Sequence, residues 1–392
     1  MIREIKKEEI AELIQKVDEL GRLTNHPEVS GEEKESCEYI TQFLKKEGYE
    51  ITAPYGEMPY SFRAVDKEKK QFHGKKAVFL CEYDALPEVG HACGHSYSCA
   101  ISILGALLLK KFYPDLPMRI DLVGTPGEEF VGGKCYMTEN GAFDEYEYAA
   151  MIHLYNRDST YFEILASNDR YFTFHGKAAH ASAFPEEGVN ALNAARLYME
   201  AMDMWRQHIT KDCQFHGIVV KGGEAPNIVP EEVCLDYYYR AATLENLWKL
   251  NKISENCARG AALATGTEVE WQQRYPDYGE IYWNEYMDQI MKDIFEHVGR
   301  TCEDSPGPGG SSDIGNVNLK IPVFHPLLDI TGKDKTCVVH DRRFERILHT
   351  TEMQKALYDG GKILYELGYL LATNEEKLKI IKEMHKKYRK LV

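Results

Sequence analysis

The chain lacks several features that would assign it to a membrane, to a nucleic acid or to the secreted disulfide-rich proteins. Its longest apolar stretches, such as residues 100–109, are too short to span a bilayer, and its first ten residues, MIREIKKEEI, lack the apolar region of a signal peptide. It has no excess of positive charge, because 47 basic and 62 acidic residues give a net charge of −15, which argues against nucleic-acid and anionic-membrane partners. Its ten cysteines include no Cys-x-x-Cys pair, so we expect free thiols in a cytoplasmic protein.

The first part of the sequence has the composition and periodicity of an α/β protein. At 392 residues, with 44% hydrophobic and 28% charged residues, the chain has room for two or three domains that each bury a core. Apolar runs at residues 77–81, 119–123 and 148–152 predict strands, and the patterns at 4–20, 32–47 and 98–111 predict helices. This alternation predicts a mostly parallel sheet with helices on both faces, whose ligands bind beyond the carboxyl ends of the strands.

A different order of elements begins near residue 168. Strand, helix, strand, strand, helix and strand are predicted at residues 171–174, 188–206, 215–220, 233–240, 244–265 and 268–272. This β-α-β-β-α-β order is that of a ferredoxin-like α+β domain. We therefore expect a first domain in two parts, residues 1–167 and 279–392, with a second domain inserted at 168–278. The Lys-rich stretch at 375–390 predicts a surface helix.

Three polar clusters that follow the predicted strands contain the residues with the clearest chemical potential. In the sequence His91-Ala-Cys93-Gly-His95, a thiolate and an imidazole two positions apart on a tight turn are suitable ligands for zinc. Glu128 and Glu129 follow the next strand, where one carboxylate could bind metal and the other act as a general base. His153, at the end of the third strand, is a further candidate ligand. Each cluster alone is also compatible with a structural turn or a solvated acidic loop.

Taken in order, these segments resemble a known family. HACGH, TPGEE with its following GGK, His153 after MI, GKAAHASAFPEEGVNAL and GGEAPNIVP are similar to the aminoacylase, hippurate hydrolase and p-aminobenzoyl-glutamate hydrolase family of dinuclear metallopeptidases. GPGGSSDIGNV and IPVFHPLL resemble in particular its p-aminobenzoyl-glutamate hydrolase and β-alanyl dipeptidase branch. The resemblance runs from about residue 32 to residue 368. It implies a zinc-peptidase-like catalytic domain and an inserted ferredoxin-like domain that serves as a lid and for dimerisation.

The resemblance also implies roles for individual residues. In the branch that has a Cys in place of the usual bridging Asp, two divalent ions (zinc or manganese, with cobalt as a further option) would be held by Cys93, His95, Glu129, His153 and His340. His340 lacks the family's usual neighbours, and His325 in the HPLL run is the alternative last ligand. Glu128 matches the general base, and Asp84 matches an Asp that orients a ligand.

In the inserted domain, three further positions match functional residues of the family. Asn227 and Arg240 match a pair that binds the substrate carboxylate, and His180 matches a His that stabilises the oxyanion in the partner subunit of a homodimer. An Arg can bind a carboxylate through two parallel hydrogen bonds. The expected substrate is therefore a small molecule with a free carboxylate.

The resulting hypothesis is a metal-dependent amidohydrolase. It would cleave the amide bond of an N-acyl or aminoacyl amino acid, such as a p-aminobenzoyl-glutamate-like or β-alanyl-dipeptide-like substrate, with Glu128 as the base. One alternative is a dipeptidase or carboxypeptidase acting on unmodified peptides. Another is a catalytically silent metal-binding or ligand-binding protein, against which the presence of Glu128 beside the ligands argues.

Overall fold

The computed structural model describes residues 2–389 and divides them into two compact units. The strands are β1 Tyr49–Thr52, β2 Phe62–Asp66, β3 Lys75–Cys81, β4 Met118–Gly124, β5 Ala149–Ala150, β6 His153–Tyr155, β7 Ala166–His175, β8 Gln214–Lys221, β9 Glu232–Ala241, β10 Glu268–Gln272, β11 Val323–Phe324 and β12 Leu327–Asp329. The α-helices are α1 Ala11–Gly21, α2 Lys34–Lys46, α3 His95–Phe112, α4 Gly133–Glu139, α5 Ala191–Trp205, α6 Leu244–Thr265, α7 Glu285–Val298, α8 Ile314–Asn318, α9 Arg342–Ile347, α10 Thr351–Thr373 and α11 Glu375–Tyr388. None of these helices, within residues 2–389, combines the length and apolar composition needed to cross a membrane.

The first unit consists of the chain up to Ile164 and from Ile281 onwards, and it is built on a mixed six-stranded sheet. The strand order is β1-β2-β4-β3-β5-β11, in which β4, β3, β5 and β11 run parallel and β1 and β2 are antiparallel. Apolar β3 and β4 are almost entirely buried, as strands covered on both faces must be. The carboxyl ends of the parallel strands therefore lie along one edge of the sheet.

Helix α3, which follows β3, is the central helix of this unit. It is buried from His95 to Leu109 and packs against α10, α1 and β3. Its approach to α10 depends on glycine, because a Cβ added at Gly361 would lie 2.5 Å from Leu104 Cδ2. The helix begins at His95, earlier than the predicted residue 98, since Gly94 adopts φ +85° and ends the preceding turn. His95 is therefore fixed by the most buried helix of the unit.

The strand predicted at residues 148–152 is divided in the structure. Residues Ala149 and Ala150 pair with β3 and β11, whereas His153 begins a separate two-stranded sheet with β12. Pro326 lies between β11 and β12 and has no N–H to continue the ladder. The division turns the chain so that His153 lies in its own short strand.

The second unit, Leu165–Glu280, contains β7, α5, β8, β9, α6 and β10 in chain order. Its antiparallel sheet has the order β10-β7-β9-β8, and α5 and α6 both pack on it. Val233, Leu235 and Tyr239 alternate as buried residues along β9. This is the ferredoxin-like arrangement, and the boundaries expected at 168 and 278 lie just inside the unit.

Candidate metal centre

The turn before α3 presents Cys93 and His95 on the sheet edge. Gly94 makes this turn possible, because its φ is +85° and an added Cβ would lie 2.9 Å from Leu154 Cδ1. Cys93 is 6% exposed and His95 is fully buried. The tight turn and the anchored helix therefore hold both side chains in defined positions.

The six residues expected to hold the ions or act as the base converge at this edge. Three clusters have ligand atoms that all lie within 4.8 Å of one another: Cys93, His95 and His153; Cys93, Glu129 and His340; and His95, Glu128 and Glu129. Cys93 belongs to the first two clusters, and its Sγ lies 3.4 Å from His153 Nε2. Glu129 Oε1 lies 3.5 Å from His340 Nε2. This is the geometry of two neighbouring ion sites that share one thiolate.

Hydrogen bonds on the far side of the ligands fix their orientation. Asp84 Oδ1 pairs with His95 Nδ1 at 2.8 Å, and Asp84 Oδ2 accepts the backbone N–H of Glu129 at 2.9 Å. His153 Nδ1 donates to the carbonyl of Leu154 at 2.8 Å, so its Nε2 presents a lone pair toward Cys93. Such outer hydrogen bonds are typical of metal-binding histidines. Asp84 thus occupies the position expected of an orienting residue.

The loop carrying the two glutamates is held from below by residues near α2. Glu33 Oε1 accepts the backbone N–H groups of Gly127 at 2.8 Å and Gly31 at 2.9 Å, and Ser30 Oγ accepts the N–H of Phe130 at 3.0 Å. Burial, together with the charge of Asp84, raises the pKa of Glu33 to about 7. Sequence reasoning did not single out Glu33, because its partners lie far away along the chain.

The donor set fits divalent metal ions. His95 Nε2 and Glu129 Oε1 are buried and have no hydrogen-bond partner among the described residues. Buried acceptors without donors are costly unless a cation satisfies them. A thiolate with imidazoles suits zinc and its neighbours, and carboxylate oxygens also suit manganese. The residues present could therefore hold two such ions.

The two adjacent glutamates have opposite electrostatic properties. Burial, reinforced by the negative charges of Glu129 and Glu82, raises the pKa of Glu128 well above its usual value. Burial acts in the same direction on Glu129, but the hydrogen bond from His340 and the nearby His95 outweigh it and lower its pKa to about 2. Carboxyl groups whose environments separate their pKa values in this way suit different tasks. Glu129 is suited to bind a cation and Glu128 to accept a proton.

His340, rather than His325, lies beside Cys93 and Glu129. It is placed there by a left-handed backbone conformation (φ +70°) and by a hydrogen bond from its N–H to the carbonyl of Ala92 at 2.9 Å. His325 is buried, its ring lies 5.7 Å from the ring of His153, and it belongs to none of the three clusters.

In the second unit, two of the three predicted residues lie together and the third lies apart. The N–H of Ala181, next to His180, donates to the carbonyl of Asn227 at 3.0 Å. Arg240 lies at the other end of β9, where it pairs with Ser167 and Gln214. Residues 232–240 alone extend over roughly 26 Å of strand. His180 and Asn227 therefore lie at one end of this sheet and Arg240 at the other.

Comparisons with known proteins agree with this geometry. Residues 170–264 match the peptidase dimerisation domain of the M20 family. The chain is 35% identical to the Xaa-Arg dipeptidase of Mus musculus over 338 residues, which cover 82% of this chain and 78% of that protein. The chain belongs to the M20 peptidase family. It is also 29% identical to one of the two subunits of the Escherichia coli p-aminobenzoyl-glutamate hydrolase, over 72% of this chain and 62% of that protein.

A solved M20 structure extends the likeness to the fold. A dinuclear metal-binding M20 peptidase from Bacillus subtilis matches with a TM-score of 0.71 at 19% identity, over 92% of this chain and 99% of that one. The family resemblance, the α/β fold with a mostly parallel central sheet, and the assignment as an enzyme that hydrolyses amide bonds are confirmed. The individual roles of the site residues remain predictions.

Proposed function

We propose that this M20 chain is a dinuclear metal-dependent dipeptidase. The observation that carries the proposal is the pair of clusters sharing Cys93, with Glu128 beside them. One ion would bind to Cys93, His95 and His153, and the other to Cys93, Glu129 and His340. Zinc is the favoured metal because of the thiolate and the three imidazoles, with manganese as the alternative.

The chemistry follows from the positions of the protein groups. Bound divalent ions supply Lewis-acid activation of water and of the scissile carbonyl. Glu128, whose raised pKa favours proton uptake, accepts the proton of the attacking water and passes it to the leaving nitrogen. Asp84 keeps His95 and the backbone of Glu129 in place throughout.

The substrate we propose is a dipeptide that ends in arginine with a free carboxylate. Support comes from the mouse and human relatives at 35% and 34% identity, both described as Xaa-Arg dipeptidases. Arg240 would bind the carboxylate through two hydrogen bonds. The second candidate substrate is an N-acyl amino acid, which the p-aminobenzoyl-glutamate hydrolase relative supports.

We further propose a homodimer formed through the second unit. Strand β8 is an edge strand, and Ile218, Val219 and Val220 on it are 65%, 46% and 50% exposed. Open apolar edges of this kind are usually covered by a neighbour. A dipeptide extends over only about 7 Å of backbone, so one subunit cannot bring Asn227 and Arg240 to the same substrate. His180 and Asn227 would therefore act in the partner's site.

The ten unpaired cysteines support our proposal of a cytoplasmic location, where thiols stay reduced.

A substrate panel tests the proposed function. Purified protein loaded with Zn²⁺, Mn²⁺ or Co²⁺ is assayed for amine release from dipeptides ending in Arg, from the same dipeptides with a C-terminal amide, and from N-acyl amino acids. We expect turnover of the Arg dipeptides, with the highest kcat/KM in the panel, and little turnover of the amides, which lack the carboxylate. Faster hydrolysis of N-acyl amino acids would favour the second candidate, and no metal-dependent turnover of any substrate would contradict the proposal.

A further inference from the structure

Three buried charges form an ion network next to the metal centre. Lys134 Nζ lies 2.6 Å from Glu82 Oε1 and 2.7 Å from Asp313 Oδ1, and the backbone N–H of Lys134 donates to Asp313 Oδ2 at 2.8 Å. Glu82 is 1% exposed, and Lys134 and Asp313 are fully buried. Lys134 comes from the GGK sequence and Asp313 from GPGGSSDIGNV, two motifs for which the proposed mechanism has no role.

The second oxygen of Glu82 faces a proposed ligand. Glu82 Oε2 is buried, has no hydrogen-bond partner among residues 2–389, and lies 3.4 Å from His95 Nε2. His95 Nε2 also lacks a hydrogen-bond partner there, because its ring is anchored to Asp84 through Nδ1. Two buried acceptors that face each other with no donor between them favour a cation nearby.

Glu82 belongs to none of the three clusters whose ligand atoms lie within 4.8 Å of one another, so the geometry does not make it a sixth ligand. We propose that Glu82 is a positioning residue whose fixed negative charge supports the ion at Cys93, His95 and His153. Lys134 and Asp313 hold this carboxylate so that one oxygen is always directed to the His95 side. The inference rests on the proposed function, since it concerns an ion of the same centre.

The test measures metal affinity rather than activity. Zn²⁺ and Co²⁺ binding to the metal-free protein is measured by chelator competition for the wild type, Glu82→Gln and Asp121→Asn. Asp121 is a matched control, because it is a fully buried carboxylate whose partners are Arg63, Arg119 and Tyr146. Loss of an outer partner of a ligand costs about 10- to 100-fold in metal affinity. We expect that loss for one of the two ions in Glu82→Gln, with a changed Co²⁺ absorption spectrum, and wild-type affinities in Asp121→Asn.

The outcomes separate this inference from the proposed function. Two ions bound with wild-type affinity in Glu82→Gln would overturn the role of Glu82 and leave the dinuclear centre intact. A wild type that binds no divalent ion would overturn both. If Glu82→Gln does not fold, Glu82→Asp replaces it: the shorter side chain cannot reach both Lys134 and the His95 side, so we expect weaker binding of one ion, and unchanged affinity would refute the inference.

Discussion

Replacing Glu128 by Gln separates proton transfer from metal binding more sharply than other changes at this site. Gln keeps the shape of the side chain but cannot accept a proton, so the attacking water and the leaving nitrogen both lose their proton carrier. Loss of a general base costs about 10²- to 10⁴-fold in rate, which corresponds to roughly 2.7–5.4 kcal/mol in activation free energy. We therefore expect kcat to fall by at least 10²-fold.

Metal content should respond in the opposite way to the two neighbouring changes. Burial and the charges of Glu129 and Glu82 disfavour an ionised Glu128, so a neutral Gln at this position removes repulsion and leaves both ions bound. Glu129→Gln removes a carboxylate that lies 3.5 Å from His340, and we expect it to lose metal. The assay is kcat at saturating metal together with metal per chain after gel filtration. Equal metal loss in the two variants would refute the division of roles.

Further predictions concern the thiol, the partner subunit, the carboxylate and a buried acid. Cys93 should resist alkylation when metal is bound and react after chelation, because metal binding deprotonates and shields a thiol; equal rates in mass-spectrometric labelling would exclude ligation. Mixed dimers of His180→Ala and Glu128→Gln should regain activity on subunit exchange, because one of the two sites then carries neither defect, whereas no recovery after verified exchange would confine His180 to its own subunit. Arg240→Ala should raise KM by the equivalent of about 2–5 kcal/mol, and an unchanged KM would remove Arg240 from the carboxylate site. Glu33 has a folded-state pKa of about 7, above its ordinary 4.5, so the folded state binds more protons between these values and the free energy of unfolding should fall by about 3 kcal/mol as pH rises from 4.5 to 7. Glu33→Gln should remove this slope in denaturant titrations, and an unchanged slope would contradict the assignment.

Sequence reasoning located the part of the site that depends on strand ends. Cys93, His95 and the two adjacent glutamates follow consecutive parallel strands, whose carboxyl ends must meet at one edge. His340 could be reached only through the resemblance, because a left-handed loop and a bond to Ala92 bring it there. No periodicity in the sequence encodes that contact.

Other features depend on contacts between distant residues. The role of Glu82 became visible only with Lys134 and Asp313 in place, and these two lie 179 positions apart. The division of the strand before His153 follows from Pro326 on a neighbouring strand, which a local pattern does not reveal. The thirteen-residue spacing of Asn227 and Arg240 matched the family, but only the antiparallel register put them at opposite ends of the sheet.

The central claim is that Cys93 is shared by two ion sites, and ligand-by-ligand metal stoichiometry tests it most directly. Metal per chain is measured by inductively coupled plasma mass spectrometry after equilibration at limiting free Zn²⁺. The measurement compares the wild type with Cys93→Ala, His153→Ala and His340→Ala. We expect two ions in the wild type, one in each His variant, since each His belongs to one cluster, and fewer than one in Cys93→Ala, which belongs to both. Two ions retained by Cys93→Ala, or loss of both ions from each His variant, would contradict the shared-thiolate centre.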